Sequence, residues 1–223
     1  MKIELIVIGD EILSGMIQDT NIQFLANFLK EKGLELHGVT VAADDKSALS
    51  KIFKEKLKTC DWVITTGGLG PTPDDQTKLS LCEAIDDVLV DSPQARKLAE
   101  THYKRIHKTW TPETNAYHKV PSSSEVFFNP NGLALGLGIS KDHRWLHCAP
   151  GVPREFKAMM EDVFFPFMRD KSLIHTENSK QLFIRTVGIP EEKIFFDRDP
   201  KLWNKLSTFG KLSSLPRNFG VDL

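Results

Sequence analysis

Three of the 223 residues are cysteine, an odd number, and no two of them form a Cys-x-x-Cys pair. That excludes a disulfide-stapled scaffold and a cysteine zinc knuckle, and it makes a reducing, cytoplasmic compartment the expectation. No apolar run is long enough to span a bilayer. The opening Met1–Gly9 is too short for a signal peptide and reads as a first strand. Charge of one sign is also missing: 29 basic and 30 acidic residues leave a net charge of −1. The densest basic cluster, Lys51 to Lys58, has helical spacing and reads as a solvated face. Nothing here supports wholesale binding to nucleic acid or membrane. Seven histidines show no zinc spacing. There is no Gly-x-Ser-x-Gly elbow, no Walker A lysine, and no Gly-x-Gly-x-x-Gly after the first strand. Internal repeats and low-complexity tracts are absent.

What is present is a core-forming composition, 40% hydrophobic, in which strand and helix patterns alternate. Ile3–Ile8 is an apolar run broken only by Glu4, as in a strand covered on both faces. A helix is predicted from Thr20 or Asn21 to Lys32, stopped by Gly33, and a strand over Leu34–Ala42. A helix capped by Ser47 and a strand over Asp61–Thr65 follow. This βαβαβ order predicts an α/β fold, a three-layer αβα arrangement on a mostly parallel sheet. Helices are predicted over 74–86 and from Ser92-Pro93 to about Lys108, then a long loop over 110–124. Short strands (126–128, 134–139, 145–148) and a helix over Arg154–Met168 complete a domain of residues 1–170. A linker over 171–180 leads to a small, incomplete α+β segment, 181–223, with a strand over Gln181–Val187, a helix over Glu191–Phe196 and strand fragments at 212–215 and 221–223. That segment is too small for a comfortable core of its own. It is expected to pack on the main domain or on a second copy, so a homodimer is the expected assembly.

The most informative segment is Thr65-Thr66-Gly67-Gly68-Leu69-Gly70-Pro71-Thr72-Pro73-Asp74-Asp75. Glycines between a strand and a helix expose backbone N–H groups to an anion. Asp74 and Asp75 would repel that anion unless a cation lies between, so the pattern points to a metal-assisted phosphate site. A local reading also accounts for part of it: Thr72 as N-cap, Pro73 as first helical residue, and the two acids facing the helix dipole. It leaves the three glycines unexplained. Gly9-Asp10-Glu11 ends the first strand, and if that strand lies between the second and third, both loops reach one crevice. Glu11 serves there as a ligand or as a brace for its own loop. Asp44 and Asp45 join the same edge or cap the next helix. Lys78 holds a phosphate oxygen or pairs with Asp74 on the helix surface. Asn115, His118 and Lys119 lie in the long loop.

Together these residues resemble a known family. Gly9-Asp10-Glu11-Ile12-Leu13-Ser14-Gly15, Thr20-Asn21, the Thr65–Asp75 run followed by Thr77-Lys78, and Pro150-Gly151-Val152-Pro153-Arg154-Glu155 are similar, in order and spacing, to the motifs of the CinA (competence/damage-inducible) proteins and their molybdopterin-binding domain. The resemblance implies a metal-dependent pyrophosphatase acting on ADP-ribose, with a related activity on FAD in a eukaryotic cousin. It also implies kinship with domains that bind molybdopterin during cofactor assembly. A further deamidase domain found in many CinA proteins is not expected in a chain of this length. The site that follows has Asp75, Glu11 and Lys78 as catalytic residues and Asp74, Asp75 and Glu11 as ligands of a divalent metal (Mg, Mn or Co). Substrate would be held by Gly67, Gly68, Leu69, Gly70 and Thr72, by Gly9, Asp10 and Asn21, and by Asn115, Pro150 and Gly151. The ligand is a nucleotide or a pterin; adenylyl transfer to molybdopterin and a non-catalytic binding module are the alternatives. One departure bears on the substrate: Asn129-Pro130-Asn131-Gly132-Leu133-Ala134-Leu135-Gly136 has leucines where the family commonly has a threonine and a proline.

Overall fold

In the computed structural model, which describes residues 1–174 and 182–223, the chain forms two compact units divided between Asn178 and Ser179. The first opens with β1 (Ile3–Ile8), the short helix α1 (Asp10–Leu13) and α2 (Asn21–Glu31). There follow β2 (Leu36–Ala42), α3 (Lys46–Thr59), β3 (Trp62–Thr66) and α4 (Thr77–Ile85). β4 (Leu89–Asp91), α5 (Pro93–Arg105) and β5 (Lys119–Pro121) come next, and β4 and β5 pair as a small antiparallel ribbon. The unit closes with β6 (Glu125–Phe127), β7 (Gly136–Lys141), β8 (Arg144–Ala149) and one long helix. That helix runs as α6 (Pro153–Ala158), a π-helical stretch (Met159–Phe164) and α7 (Phe165–Asp170).

The main sheet has the order β2-β1-β3-β8-β7-β6. β2, β1, β3 and β8 run parallel, and β7 and β6 are the antiparallel edge. Its buried strands alternate between two apolar layers. Ile6, Ile8, Val63 and Leu146 face the layer that holds Leu49 and Phe53 of α3, Leu81 of α4 and Ala99 of α5. Ile3, Leu5, Val7, Trp62 and Ile64 face Leu25 and Leu29 of α2 and Phe156 of α6. The three-layer αβα arrangement follows.

Glu4, the one acid inside β1, is buried, and salt bridges to Lys56 (2.7 Å) and Lys2 (3.0 Å) offset its desolvation. Burial would raise its pKa, but these partners hold it down to about 2.

Several expected boundaries move. Asp74 and Asp75 precede α4 rather than opening it, because the loop continues to the N-cap Gln76. Of the capping residues expected for α3, Asp45 takes the role rather than Ser47, accepting a hydrogen bond from Ala48 N at 2.7 Å. The 110–124 loop contains β5. Of the expected linker, Leu173 and Ile174 pack against the α2–α6 layer, while 175–180 lie outside the described residues. Gln181 lies outside them too, and the rest of its predicted strand is a single bridge, Arg185 to Asp222, flanked by backbone bonds to β10.

The second unit has a π-helical turn (Lys193–Arg198), α8 (Leu202–Ser207), which the sequence reading missed, and the hairpin of β9 (Leu215–Arg217) and β10 (Gly220–Asp222). Its own small core is Ile194, Phe195 and Val221. Phe183, Phe209 and Phe219 are largely exposed.

One polar group sits at the centre of the first unit. His147 of β8 is fully buried among Trp145, Phe164 and Phe167, and its Nδ1 accepts the indole N–H of Trp62 at 2.9 Å. Burial lowers its pKa to about 3, so the native ring is neutral. The unfolded chain binds this proton near 6.5 and the native state does not until about 3. Stability from this group is therefore complete above 6.5 and is lost as pH falls through that window, by at most about 1.4 kcal/mol per pH unit. In urea titrations between pH 7 and 4, His147→Gln, which keeps an acceptor for Trp62, should lose stability less steeply than the parent. Equal slopes would refute the neutral-ring account.

Candidate functional site

Parallel pairing of β1 with both β2 and β3 sends the chain from β1 outward in one direction and back in the other. The crevice beyond their carboxyl ends is thus a switch point, the usual ligand position in such sheets. An open cleft of about 880 Å³ lies there, with β1's loop (Glu11, Ile12), the glycine loop (Gly67–Gly70) and the Pro150-Gly151 turn along its walls.

The glycines have separate causes. Gly67 has φ +107°, and a Cβ on it would stand 2.1 Å from the carbonyl oxygen of Ile8. Gly68 has φ +65°, and a Cβ there would strike the Thr77 hydroxyl, which donates to the Gly67 carbonyl. The resulting turn leaves the N–H groups of Gly68 and Leu69 without an acceptor among the described residues, while Gly67 N donates to Ala149 O and Gly70 N to Asp75 Oδ1. Leu69 buries its side chain in the core, so only its backbone serves the cleft.

Glu11, Asp44, Asp74 and Asp75 also line the cleft. None is in an ion pair among the described residues. Burial, together with the charges of Asp10, Glu11 and Asp75, raises the pKa of Asp44. Two unfilled amide donors therefore face a set of uncompensated carboxylates.

Asn21, at the start of α2, ties the cleft together. Its amide donates to Thr66 Oγ1 (2.9 Å) and to Gly151 O (3.0 Å). Its buried Oδ1 has no hydrogen-bond partner among the described residues.

Of the residues expected in the site, Glu11, Asn21, Gly67, Gly68, Leu69, Gly70, Asp74, Asp75, Pro150 and Gly151 line this cleft. Five do not. Lys78 turns its ammonium to the carbonyls of Ala116 (2.9 Å) and Lys119 (3.1 Å), so it fastens the loop before β5 instead of meeting a phosphate. Burial lowers its pKa to about 8 against the opposing charge of Asp75. Asn115 is consumed by Trp110, Tyr103 and the Tyr117 amide. Thr72 gives both its N–H and its hydroxyl to Asp75. Asp10 and Asp44 each donate a backbone N–H to the other's carboxylate, at 3.3 and 3.4 Å. Gly9 makes room for the carboxylate of Glu11, which would lie 2.6 Å from its Cβ.

The metal set also changes. Among the described residues no three His, Cys, Asp or Glu side chains are grouped closely enough to hold an ion. Asp75 is turned back onto Gly70 and Thr72, so Asp74, Asp75 and Glu11 do not form a self-sufficient ligand cage. The donor set still suits a hard cation shared with substrate, since Mg²⁺ is commonly held by one or two carboxylates plus phosphate oxygens.

The sequence reading passed over the far end of the cleft, where His102, Arg105 and Glu155 meet the 131–134 turn. Glu155 was within reach through the Pro-Gly-x-Pro-x-Glu pattern. His102 carries no local signal, because only tertiary packing brings α5 to this edge.

The family model described as "Probable molybdopterin binding domain" matches residues 4–170. The chain belongs to this molybdopterin-binding domain family, alongside the CinA-like proteins. A CinA-like protein of Shewanella frigidimarina is 35% identical over 195 residues, 87% of this chain and 46% of that protein. A putative competence-damage inducible protein of Bacillus cereus is 34% identical over 194 residues, 87% of this chain and 47% of that protein. The chain thus spans about half the length of these relatives. Among solved structures, the protein CinA of Thermoplasma acidophilum superposes with a TM-score of 0.68 at 30% identity, covering 78% of this chain and 100% of that one. The molybdopterin biosynthesis enzyme MoaB of Thermus thermophilus, at 17% identity and a TM-score of 0.52 over 77% of this chain and 94% of that one, shares the fold. Among the described residues no helix is long and apolar enough to cross a membrane.

The geometry assigns Asp75 to the loop's own structure. Asp75→Asn, with one oxygen in place of two, should cost about 1–3 kcal/mol, measured as a fall in the urea midpoint. An unchanged midpoint would show that the bonds to Gly70 and Thr72 contribute nothing.

Proposed function

We propose that this cleft binds a diphosphate-linked nucleotide, ADP-ribose or a close relative, and hydrolyses its diphosphate with the help of a divalent cation. The observation that carries the reading is the pairing of two open backbone donors, Gly68 and Leu69, with carboxylates that lack counter-charges in the same cleft. A phosphate is attracted by the first and repelled by the second unless a cation accompanies it.

In this reading the amides of Gly68 and Leu69 hold phosphoryl oxygens, where preorganised donors stabilise charge as it develops. Glu11 and Asp74 would hold the cation, which supplies charge neutralisation and a more acidic bound water. Asp44 faces the same space and adds negative potential. Asp75 keeps Gly70 and Thr72 in place, and so sets the direction of the neighbouring amides. Asn21 fixes the Pro150-Gly151 turn against the glycine loop.

A second reading is supported by the absence of a self-sufficient carboxylate cage, and by the family. Here the cleft holds the phosphate of a pterin without hydrolysing it. A substrate panel separates the two: ADP-ribose, FAD, NADH and a molybdopterin source, each with Mg²⁺, Mn²⁺ and Co²⁺. Release of a nucleoside monophosphate supports the first reading; tight pterin binding without turnover supports the second. If the first holds, Glu11→Gln should lower turnover by about 10²-fold or more, a loss typical of removing one group that acts on developing charge. Its melting temperature should stay close to the parent's. Full turnover in Glu11→Gln would remove that residue from the reaction.

The homodimer expected from the sequence is retained as part of the proposal, with exposed Phe183, Phe209 and Phe219 as its apolar surface. A sedimentation mass of 25.2 kDa, that of one chain, at every concentration would remove it.

A further inference from the structure

The end of the cleft away from the acids is built around a tight turn. Asn129, fully buried, donates its amide to Ala134 O (2.9 Å) and to Glu155 Oε2 (2.7 Å), and its Oδ1 accepts from Asn131 N (3.0 Å). The backbone of the turn passes so close to Glu155 that a Cβ on Gly132 would sit 1.9 Å from Oε2. Space at Gly132 is thus reserved for a carboxylate. One oxygen of that carboxylate is fixed by Asn129, and the other, Oε1, has no partner among the described residues. Glu155 is half-buried, faces the cleft and forms no ion pair there.

The neighbouring walls combine apolar surface from Ile106, Tyr117, Leu133 and Ala134 with Arg105, Asn131 and Arg154; Arg105 is already bonded to the carbonyls of Asn129 and Pro130. His102 anchors the turn from α5. Its Nδ1 lies 3.0 Å from Leu133 O, and since a carbonyl only accepts, Nδ1 carries the hydrogen. Burial lowers the pKa of this ring, and Nε2 is covered and has no hydrogen-bond partner among the described residues. This end therefore presents an oriented acceptor beside apolar side chains, with Arg105 and Arg154 also on its lining and without the open backbone donors of the glycine loop. Such surroundings suit a flat ring that bears an N–H donor.

We propose that Glu155 is the specificity-determining residue for the ring end of the ligand, its Oε1 accepting a hydrogen bond from the amino group of a heterocyclic base such as the 6-amino group of adenine. The inference rests on the diphosphate reading above, which supplies the other end of the ligand. Asn129 and Gly132 are positioning residues: they aim the carboxylate and leave it room.

The test is a binding series by calorimetry on the whole chain in Mg²⁺, with inorganic pyrophosphate, ADP, IDP and purine riboside 5′-diphosphate as probes. IDP replaces the 6-amino donor with an oxygen acceptor, and the riboside diphosphate lacks the group. The parent should bind ADP roughly tenfold more tightly than either, about the worth of one hydrogen bond to a charged acceptor. Glu155→Gln should reduce the ADP-to-IDP ratio to about one or invert it, because Asn129 holds the amide oxygen and the new N–H₂ faces the ring. Its affinity for pyrophosphate should stay at the parent's value. Equal binding of ADP, IDP and the riboside diphosphate by the parent would overturn this inference alone, and that comparison stands whether or not Glu155→Gln folds. An unchanged ADP-to-IDP ratio in folded Glu155→Gln would overturn it too. No binding of pyrophosphate or ADP by the parent would overturn the diphosphate reading, and this inference with it.

Discussion

The backbone of Gly67 rests directly on the carbonyl of Ile8, and its N–H is bonded to Ala149 O at 3.1 Å. One residue thereby joins the carboxyl ends of β1, β3 and β8. A Cβ at that position would force β3 away from β1, and the turn that follows would lose its direction. Thr77 locks the other side of the turn through its hydroxyl bond to the same glycine's carbonyl. The open amides of Gly68 and Leu69, the Asn21 clamp on Thr66 and Gly151, and the placement of Glu11 across the cleft all depend on this close approach. It is a steric constraint with a chemical consequence: two backbone N–H groups are left open where three parallel strands end.

Charge balance explains why that loop calls for more than an anion. Glu4, buried elsewhere in the same strand as the β1 loop, has two lysines. Glu11, Asp44 and Asp74 have none, and burial and mutual repulsion push Asp44 toward its protonated form. The molecule neutralises an acid where the acid is structural and leaves acids uncompensated in the cleft. Lys78, the basic residue closest in sequence to the loop, is directed away to backbone carbonyls. Arg105 and Arg154 line the other end of the cleft, and neither forms an ion pair with Glu11, Asp44 or Asp74 among the described residues.

The fold was largely legible because buried parallel strands announce themselves. Ile3–Ile8, broken only by Glu4, and Trp62–Ile64 are apolar runs, and Gly33 and Ser92-Pro93 mark helix ends by backbone chemistry. Boundaries failed where two residues compete for one role. Asp45 displaced Ser47 as a cap, and the loop bonds of Asp75 delayed the start of α4 to Thr77. In the site, the conformation of the glycine loop was legible in the sequence, and the positions of several polar side chains were not. Gly67, Gly68 and Gly70 must behave as glycines wherever the chain goes, whereas Lys78, Asn115 and Thr72 have long or polar side chains whose targets are fixed by tertiary neighbours. The same reason hid Glu155 and His102, which gain their meaning from a turn at Asn129–Ala134 that approaches them only in the folded chain.

The central claim is that a diphosphate is held by the backbone of the glycine loop. Amide resonances in a ¹⁵N–¹H titration with ADP-ribose and Mg²⁺ test it most directly. The account predicts that the largest downfield shifts fall on Gly68 and Leu69, with Gly67 and Gly70, already bonded within the protein, moving little. Saturable binding that leaves the Gly68 and Leu69 resonances in place would contradict it.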